Sequence, residues 1–337
     1  MSPTIRAVTE RLADDVLLPR AIATDLAVAV PPESLSQLAR AGLFGLYGPK
    51  TAGGLDLDDN DALAVIERLA SGCLTTTFVW MQHHSAVRAL AQAAESLQTD
   101  WLGPLCRGER RAGVAFAGLR RSGPPMLVAE RVDAGYLLDG AAPWVTGWGS
   151  IDVVLVAARD LRTTDGDIVW SLVDATTGPT LHVEHLRLMA LNASATVTAR
   201  FERHLVPDER VVGTEGFEQW RARDEAGLRT NGSLALGVAW RAAHVLGSAE
   251  LLDRIGRCRD RLDSAAVAEL PTARSEASEL ALTATTTLVV ATGGRAVLET
   301  ELAQLLAREA VFLLVFGQTP AIKAEQLMAR AAEAQTD

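Results

Sequence analysis

The residues of this 337-residue chain that invite chemistry are His83-His84, Arg120-Arg121, the Trp144-Val-Thr146 turn and Glu225. Adjacent histidines on a helix point about 100° apart, so at most one of His83 and His84 can face a common site. They follow the apolar run Phe78–Met81, and a satisfied core histidine is the plain alternative. Arg120 and Arg121 can clamp a phosphate or stand solvated in a loop. The stretch APWVTGWGS, residues 142–150, crowds Trp144 and Trp148 into one short turn, although only 5% of the chain is aromatic. Gly293-Gly294 permits close backbone approach to a bound group or ends a helix. The cysteines, Cys73, Cys106 and Cys258, are far apart and form no CxxC pair, so neither a metal site nor a disulfide framework is expected.

Three kinds of segment must position these residues. Leu63, Ile66 and Ala70 share one face of a helix over Asp61–Ser71, and the period stays helical to about residue 110. Short β-branched runs follow, at Ile151–Ala157 and Ile168–Val173. In residues 195–202, ATVTARFE, apolar and polar side chains alternate as in a half-buried strand. Strands in succession without intervening helices predict an antiparallel β-sandwich or barrel. Helical periodicity then returns, with Val238, Ala242, Val245, Ala249 and Leu252 as one continuous stripe. Further helices are expected over Ser275–Val290, Val297–Phe316 and Ala321–Ala332, the last capped by Thr319-Pro320.

A net charge of −10 argues against a nucleic-acid partner. The charged start MSPTIRAVTERLADD is not a signal peptide, and no apolar run is read as long enough to span a bilayer. A cytoplasmic protein with reduced thiols is expected.

Helices, strands and helices in that order, with motifs at the joints, resemble the acyl-CoA dehydrogenase superfamily over nearly the whole chain. The motifs are GLFGLYGPKTAGGLDLDD, ALAVIERLASGCLTTTFVW, GAAPWVTGWGSID, FERHLVPDERVVG and TGGRAVLETELAQLLAREAVFLLVFGQTPAIKAEQLMAR. The resemblance implies an α+β multidomain fold: an N-terminal helical domain over residues 1–112, a middle antiparallel β-domain over 113–212 and a C-terminal four-helix-type bundle over 213–337. It also implies FAD, with Trp144 bordering the isoalloxazine ring and Thr146 hydrogen-bonded to it; Trp148 fills the core. Phe116, Gly118, Gly293 and Gly294 are carried over as further cofactor contacts. The implied substrate is an acyl-CoA or related thioester, in a homo- or hetero-oligomer, dimer or tetramer.

The chain departs from the family where a carboxylate should take the α-proton. In the turn Gly317–Ile322 the base position is matched to Ala321 or Ile322, and in the alternative helix to Gly227 or Leu228. None of these accepts a proton. Glu225 is a displaced candidate base, and His84 is a candidate for oxygen chemistry as in flavin monooxygenases of this fold. The loop AGLRRSGPPM, residues 117–126, replaces another cofactor-binding motif, and Arg308 is read as a structural ion-pair residue. The expected function is FAD-dependent α,β-dehydrogenation of an acyl thioester, with this chain a base-less subunit of a hetero-oligomer as one form of it. A reduced-flavin monooxygenase and a non-enzymatic supporting subunit are the alternatives.

Overall fold

The computed structural model describes residues 1–163 and 166–333, with side chains described as far as residue 331 at the C-terminal end. The N-terminal region is helical: α1 Pro3–Arg11, α2 Ala21–Asp25, α3 Pro32–Arg40, α4 Asp59–Ala70, α5 Leu74–Leu90, α6 Glu95–Leu97 and α7 Gly103–Cys106. Helix α4 starts where Asp58 accepts a hydrogen bond from the Asp61 amide at 2.8 Å, leaving Leu63, Ile66 and Leu69 on its buried face. Helix α5 is buried nearly all round, with Trp80 donating its indole N–H to the Leu43 carbonyl.

The middle region is a sheet of β1 Ala112–Ala115, β2 Leu127–Val132, β3 Gly135–Val145, β4 Val153–Asp160, β5 Asp167–Asp174, β6 Leu181–His185, β7 Val197–Pro207 and β8 Val211–Glu215. The strand order is β6-β7-β3-β2-β4-β5-β8, with β1 added against β4. Most pairs are antiparallel, as the alternation predicts, but β1 runs parallel to β4 and β2 meets β4 in parallel at one position. Sequence alternation fixes which face a residue takes and leaves strand direction to the connections. Apolar side chains cover both faces. One set, including Leu138, Val145 and Val197, forms the sheet's own core; the other, with Val114, Leu155 and Leu172, packs on Val87 and Leu90 of α5.

The C-terminal bundle holds α8 Phe217–Ala226, α9 Leu228–Leu246, α10 Ala249–Ser264, α11 Leu270–Thr292, α12 Leu302–Val315 and α13 Pro320–Glu333. The stripe predicted through Val238–Leu252 is interrupted. Gly247 ends α9 in the left-handed region at φ 65°, and the Ser248 side chain caps α10. Val245 is consequently left outside the core. The stretch Val267–Val297 includes an 18-residue segment with a mean hydropathy of 1.2, long and apolar enough to cross a membrane, contrary to the sequence reading. Its helix α11 packs against α9, α10, α12 and α13.

The same bundle buries one carboxyl group, Glu309 on α12. Burial, with Asp25 nearby, pushes its pKa up from 4.5 to about 8, and Arg308 only partly opposes this. Between those values the folded chain keeps a proton that the unfolded chain has released, so the group's contribution to stability falls as pH rises through the window. Glu309→Gln is expected to flatten this loss and to melt higher than the parent above pH 8 by an amount equivalent to a few kcal/mol at most. Melting curves across the window check it; identical pH slopes for parent and variant would exclude the effect.

Candidate active site

A cleft of about 1870 Å³ opens between the N-terminal helices, the sheet and the C-terminal bundle. That exceeds the few hundred to roughly 1,000 Å³ of ordinary small-molecule pockets and leaves room for more than one bound group. Its walls bring Trp144 and Thr146 together with Phe116, His84, Arg120 and the turn Phe316–Gln318.

Strand β3 makes the Trp144 wall by slipping register against β7 between Ala142 and Val145. At this bulge Trp144 takes φ 64°, a conformation that costs a bulky residue about 1–3 kcal/mol. The ring is nevertheless 54% exposed, and it lines the cleft rather than the core. Thr146 lies buried beneath, its hydroxyl 3.2 Å from that of Thr196, which is 2.8 Å from the Ser194 hydroxyl. The turn is fastened by the Gly147 amide donating to the Ser194 carbonyl at 2.8 Å. Trp148 packs against the core of the sheet. A strained, exposed indole beside a hydroxyl chain suits a flat heteroaromatic ring.

The histidines divide. Nδ1 of His83 accepts from the Ala112 amide at 3.0 Å and so ties α5 to β1. Burial lowers its pKa to about 3. His84 lines the cleft wall beside Trp80 and Tyr47, and neither of its ring nitrogens has a hydrogen-bond partner among the described residues. Burial, with His83 and Arg88 adding to it, holds His84 well below the usual histidine range, so it is neutral near pH 7.

No carboxylate in the cleft stands free among the described residues. Asp224 accepts from Arg120 at 2.6 and 2.7 Å, and Glu215 accepts from Arg223 and from the Trp170 indole. Asp263 is paired with Arg229 and Asp59 with Arg88, while Asp58 caps α4. Of the two arginines considered for a phosphate clamp, Arg120 is thus matched by Asp224, and Arg121 donates toward the Met126 sulfur at 3.5 Å.

Several sequence candidates lie elsewhere. Glu225 is exposed and points away from the cleft, its neighbour Asp224 taking the cleft face. Gly118 lines a small separate pocket. Gly293 and Gly294 end α11 with nothing within 4 Å of where a Cβ would stand, outside the cleft of their own chain. Ala321 is exposed, and Ile322 is buried with Leu228 and Leu270. The cleft-facing part of that turn is Phe316-Gly317-Gln318, because α12 and α13 meet at 120° and only their elbow reaches the site. Thr319 caps α13, accepting from the Ile322 amide at 3.3 Å. Arg308 pairs with Asp25 and donates to the Met189 carbonyl at 2.8 Å, holding a cleft-lining loop in place. Sequence reasoning missed Asp224, Asn231 and Gly317, which lie on α8, on α9 and at the elbow, so that no local spacing links them.

Two helical regions flanking a β-sheet form the three-domain arrangement of acyl-CoA dehydrogenases. The chain is related to that superfamily. Its residues 3–109 match the family "Acyl-CoA dehydrogenase, N-terminal domain". It is 28% identical over 246 residues to benzylmalonyl-CoA dehydrogenase of Aromatoleum aromaticum, covering 68% of this chain and 62% of that one. It is 25% identical over 222 residues to a short-chain specific acyl-CoA dehydrogenase of Clostridium acetobutylicum, covering 63% and 58%. Both alignments thus span less than two thirds of the relative's own length. Butyryl-CoA dehydrogenase from Megasphaera elsdenii shares the fold with a TM-score of 0.81 at 19% identity, covering 99% of each chain. Acyl-CoA dehydrogenase from Geobacillus kaustophilus does so at 0.82 and 16%, covering 98% and 97%. Members of this family are FAD-dependent flavoproteins.

Proposed function

We propose that the chain holds FAD in the cleft against Trp144 and Thr146 and receives an acyl thioester beside it, as an oxidoreductase-type flavoprotein without a general base of its own. Bound flavin would supply the hydride-accepting chemistry. The chain's own residues supply a flat wall, a hydroxyl relay at Thr146-Thr196-Ser194 and an aromatic lining that excludes water. The observation that carries this reading is the exposed Trp144 held at a strained φ on the cleft wall. A ring whose backbone cost is not repaid by core packing is best explained by a ligand that stacks on it. The purified protein is expected to retain a visible flavin band or to acquire one with added FAD. A protein that takes up no flavin would overturn the proposal in favour of a non-enzymatic scaffold.

Because each carboxylate in the cleft is committed to an arginine or a helix cap, dehydrogenation would require a partner chain. Activity of this chain alone would have to be a different chemistry that needs no α-proton base. His84, neutral and unpartnered in the wall, favours a second reading, a reduced-flavin monooxygenase. Oxygen consumption in the presence of a flavin reductase distinguishes the two.

Assembly belongs to the same proposal. Val290 and Val297 are 80% and 82% exposed at the end of α11, beside Gly293-Gly294. Such an apolar patch suits a second chain, and any contact of Gly293-Gly294 with flavin would be made across a subunit boundary. Sedimentation at micromolar concentration is expected to give a dimer or tetramer; a monomer would contradict the shared site.

A further inference from the structure

Against the elbow between α12 and α13 stands a polar group that the proposed flavin site does not use. Asn231 on α9 is only 8% exposed, lines the cleft, and its side chain has no hydrogen-bond partner among the described residues. The amide atoms reach the open cleft, where a ligand with a matching polar group can pair with them. Gly317 faces it. A Cβ built at Gly317 would stand 2.5 Å from Asn231 Nδ2 and 3.7 Å from Arg120 Nη1. Asn231 Nδ2 therefore packs against Gly317, and Arg120 Nη1 approaches the same point of the cleft wall from another side. Arg120 directs Nε and Nη2 at Asp224, while its Nη1 has no partner among the described residues.

The surroundings limit what can enter. Phe316, next to Gly317, packs edge-on against Phe78 with centroids 4.8 Å apart, and Phe312 stacks beside it. These rings line the same cleft, so the occupant has an apolar body. Its polar group must accept hydrogen bonds, since Asn231 Nδ2 and Arg120 Nη1 both donate. That group need not be an anion, because Asp224 already balances the guanidinium charge at 2.6 Å.

We infer that Asn231 and Arg120 form a subsite for an uncharged oxygen on the acyl portion of the ligand, a hydroxyl or carbonyl, which makes the chain selective for oxygen-bearing acyl thioesters. The inference rests on the thioester reading of the cleft. A site built to hydrogen-bond an oxygen rejects the analogue lacking it because its own donors are then left unpaired.

The test is calorimetric titration of the FAD-loaded protein with butyryl-CoA, 3-hydroxybutyryl-CoA and succinyl-CoA, which does not depend on turnover. The hydroxylated thioester is expected to bind about tenfold more tightly than butyryl-CoA, equivalent to one good hydrogen bond. Asn231→Leu should abolish that preference, bringing the affinities for the hydroxylated and plain thioesters together. Asn231→Ala, with no added bulk beside Gly317, provides the same comparison if the leucine variant melts early. Equal binding of the hydroxylated and plain thioesters, or a preference that survives both variants, would overturn the subsite alone. Tightest binding of succinyl-CoA would show an anion site and overturn the assignment to an uncharged oxygen. Binding of none of the thioesters would overturn the thioester reading and the subsite with it.

Discussion

Mixed anaerobically with straight-chain acyl-CoAs, the flavin-loaded protein is expected to keep its visible band. Reduction requires loss of the α-proton as the β-hydride leaves, and a positioned base typically contributes about 10²–10⁴-fold. Asp224, Glu215, Asp263 and Asp59 are each held by an arginine. The cleft face of the elbow presents Phe316, Gly317 and Gln318. Adding a carboxylate there is the informative experiment. Gly317→Glu combined with Asn231→Ala removes the amide that would meet the new Cβ at 2.5 Å. It should raise the bleaching rate by about 10²-fold or more, despite roughly 1–3 kcal/mol of strain from a side chain at the φ 61° of this position. Ile322→Glu should instead destabilise the fold by several kcal/mol, because it places a charge among Leu228 and Leu270. Rapid bleaching of the unmodified protein would refute the base-less reading and make Asp224→Asn the first variant to examine.

Trp144→Ala is the second large effect. Removing the exposed indole from the cleft wall should weaken flavin retention by about 1–3 kcal/mol, or roughly 10–100-fold in affinity. Trp144→Gly should go further in one respect, losing flavin while the apoprotein gains stability, because glycine adopts φ 64° without strain. Trp148→Ala should behave oppositely, leaving flavin and costing stability, since that ring packs on the sheet core. Flavin titration paired with apoprotein melting separates these outcomes. Equal flavin affinity in Trp144→Ala and the parent would remove Trp144 from the site.

The sequence by itself determined the order of helical, β and helical segments, since a change of period from 3.6 to 2 and back is a local property of side-chain spacing. It also singled out Trp144-Val-Thr146 as a stretch too rich in rings for a turn. Local signals fixed boundaries where a cap was present, as at Thr319-Pro320. They failed at Val238–Leu252, where Gly247 and Ser248 broke a periodicity that the apolar residues alone continued. Strand direction, including the parallel β1–β4 pair, depended on connections that no local pattern encodes. The site was decided by tertiary structure for the same reason. Glu225 and Asp224 are neighbours in sequence, yet a step of about 100° around the helix sends one to solvent and the other to the cleft. The bend between α12 and α13 turns Gly317 inward and leaves Ala321 outside, and only the packing of α9 against that elbow sets Asn231 beside it. Residue type can be read along the chain, but which polar groups share a cleft depends on helix rotation and crossing, set by contacts far apart in sequence.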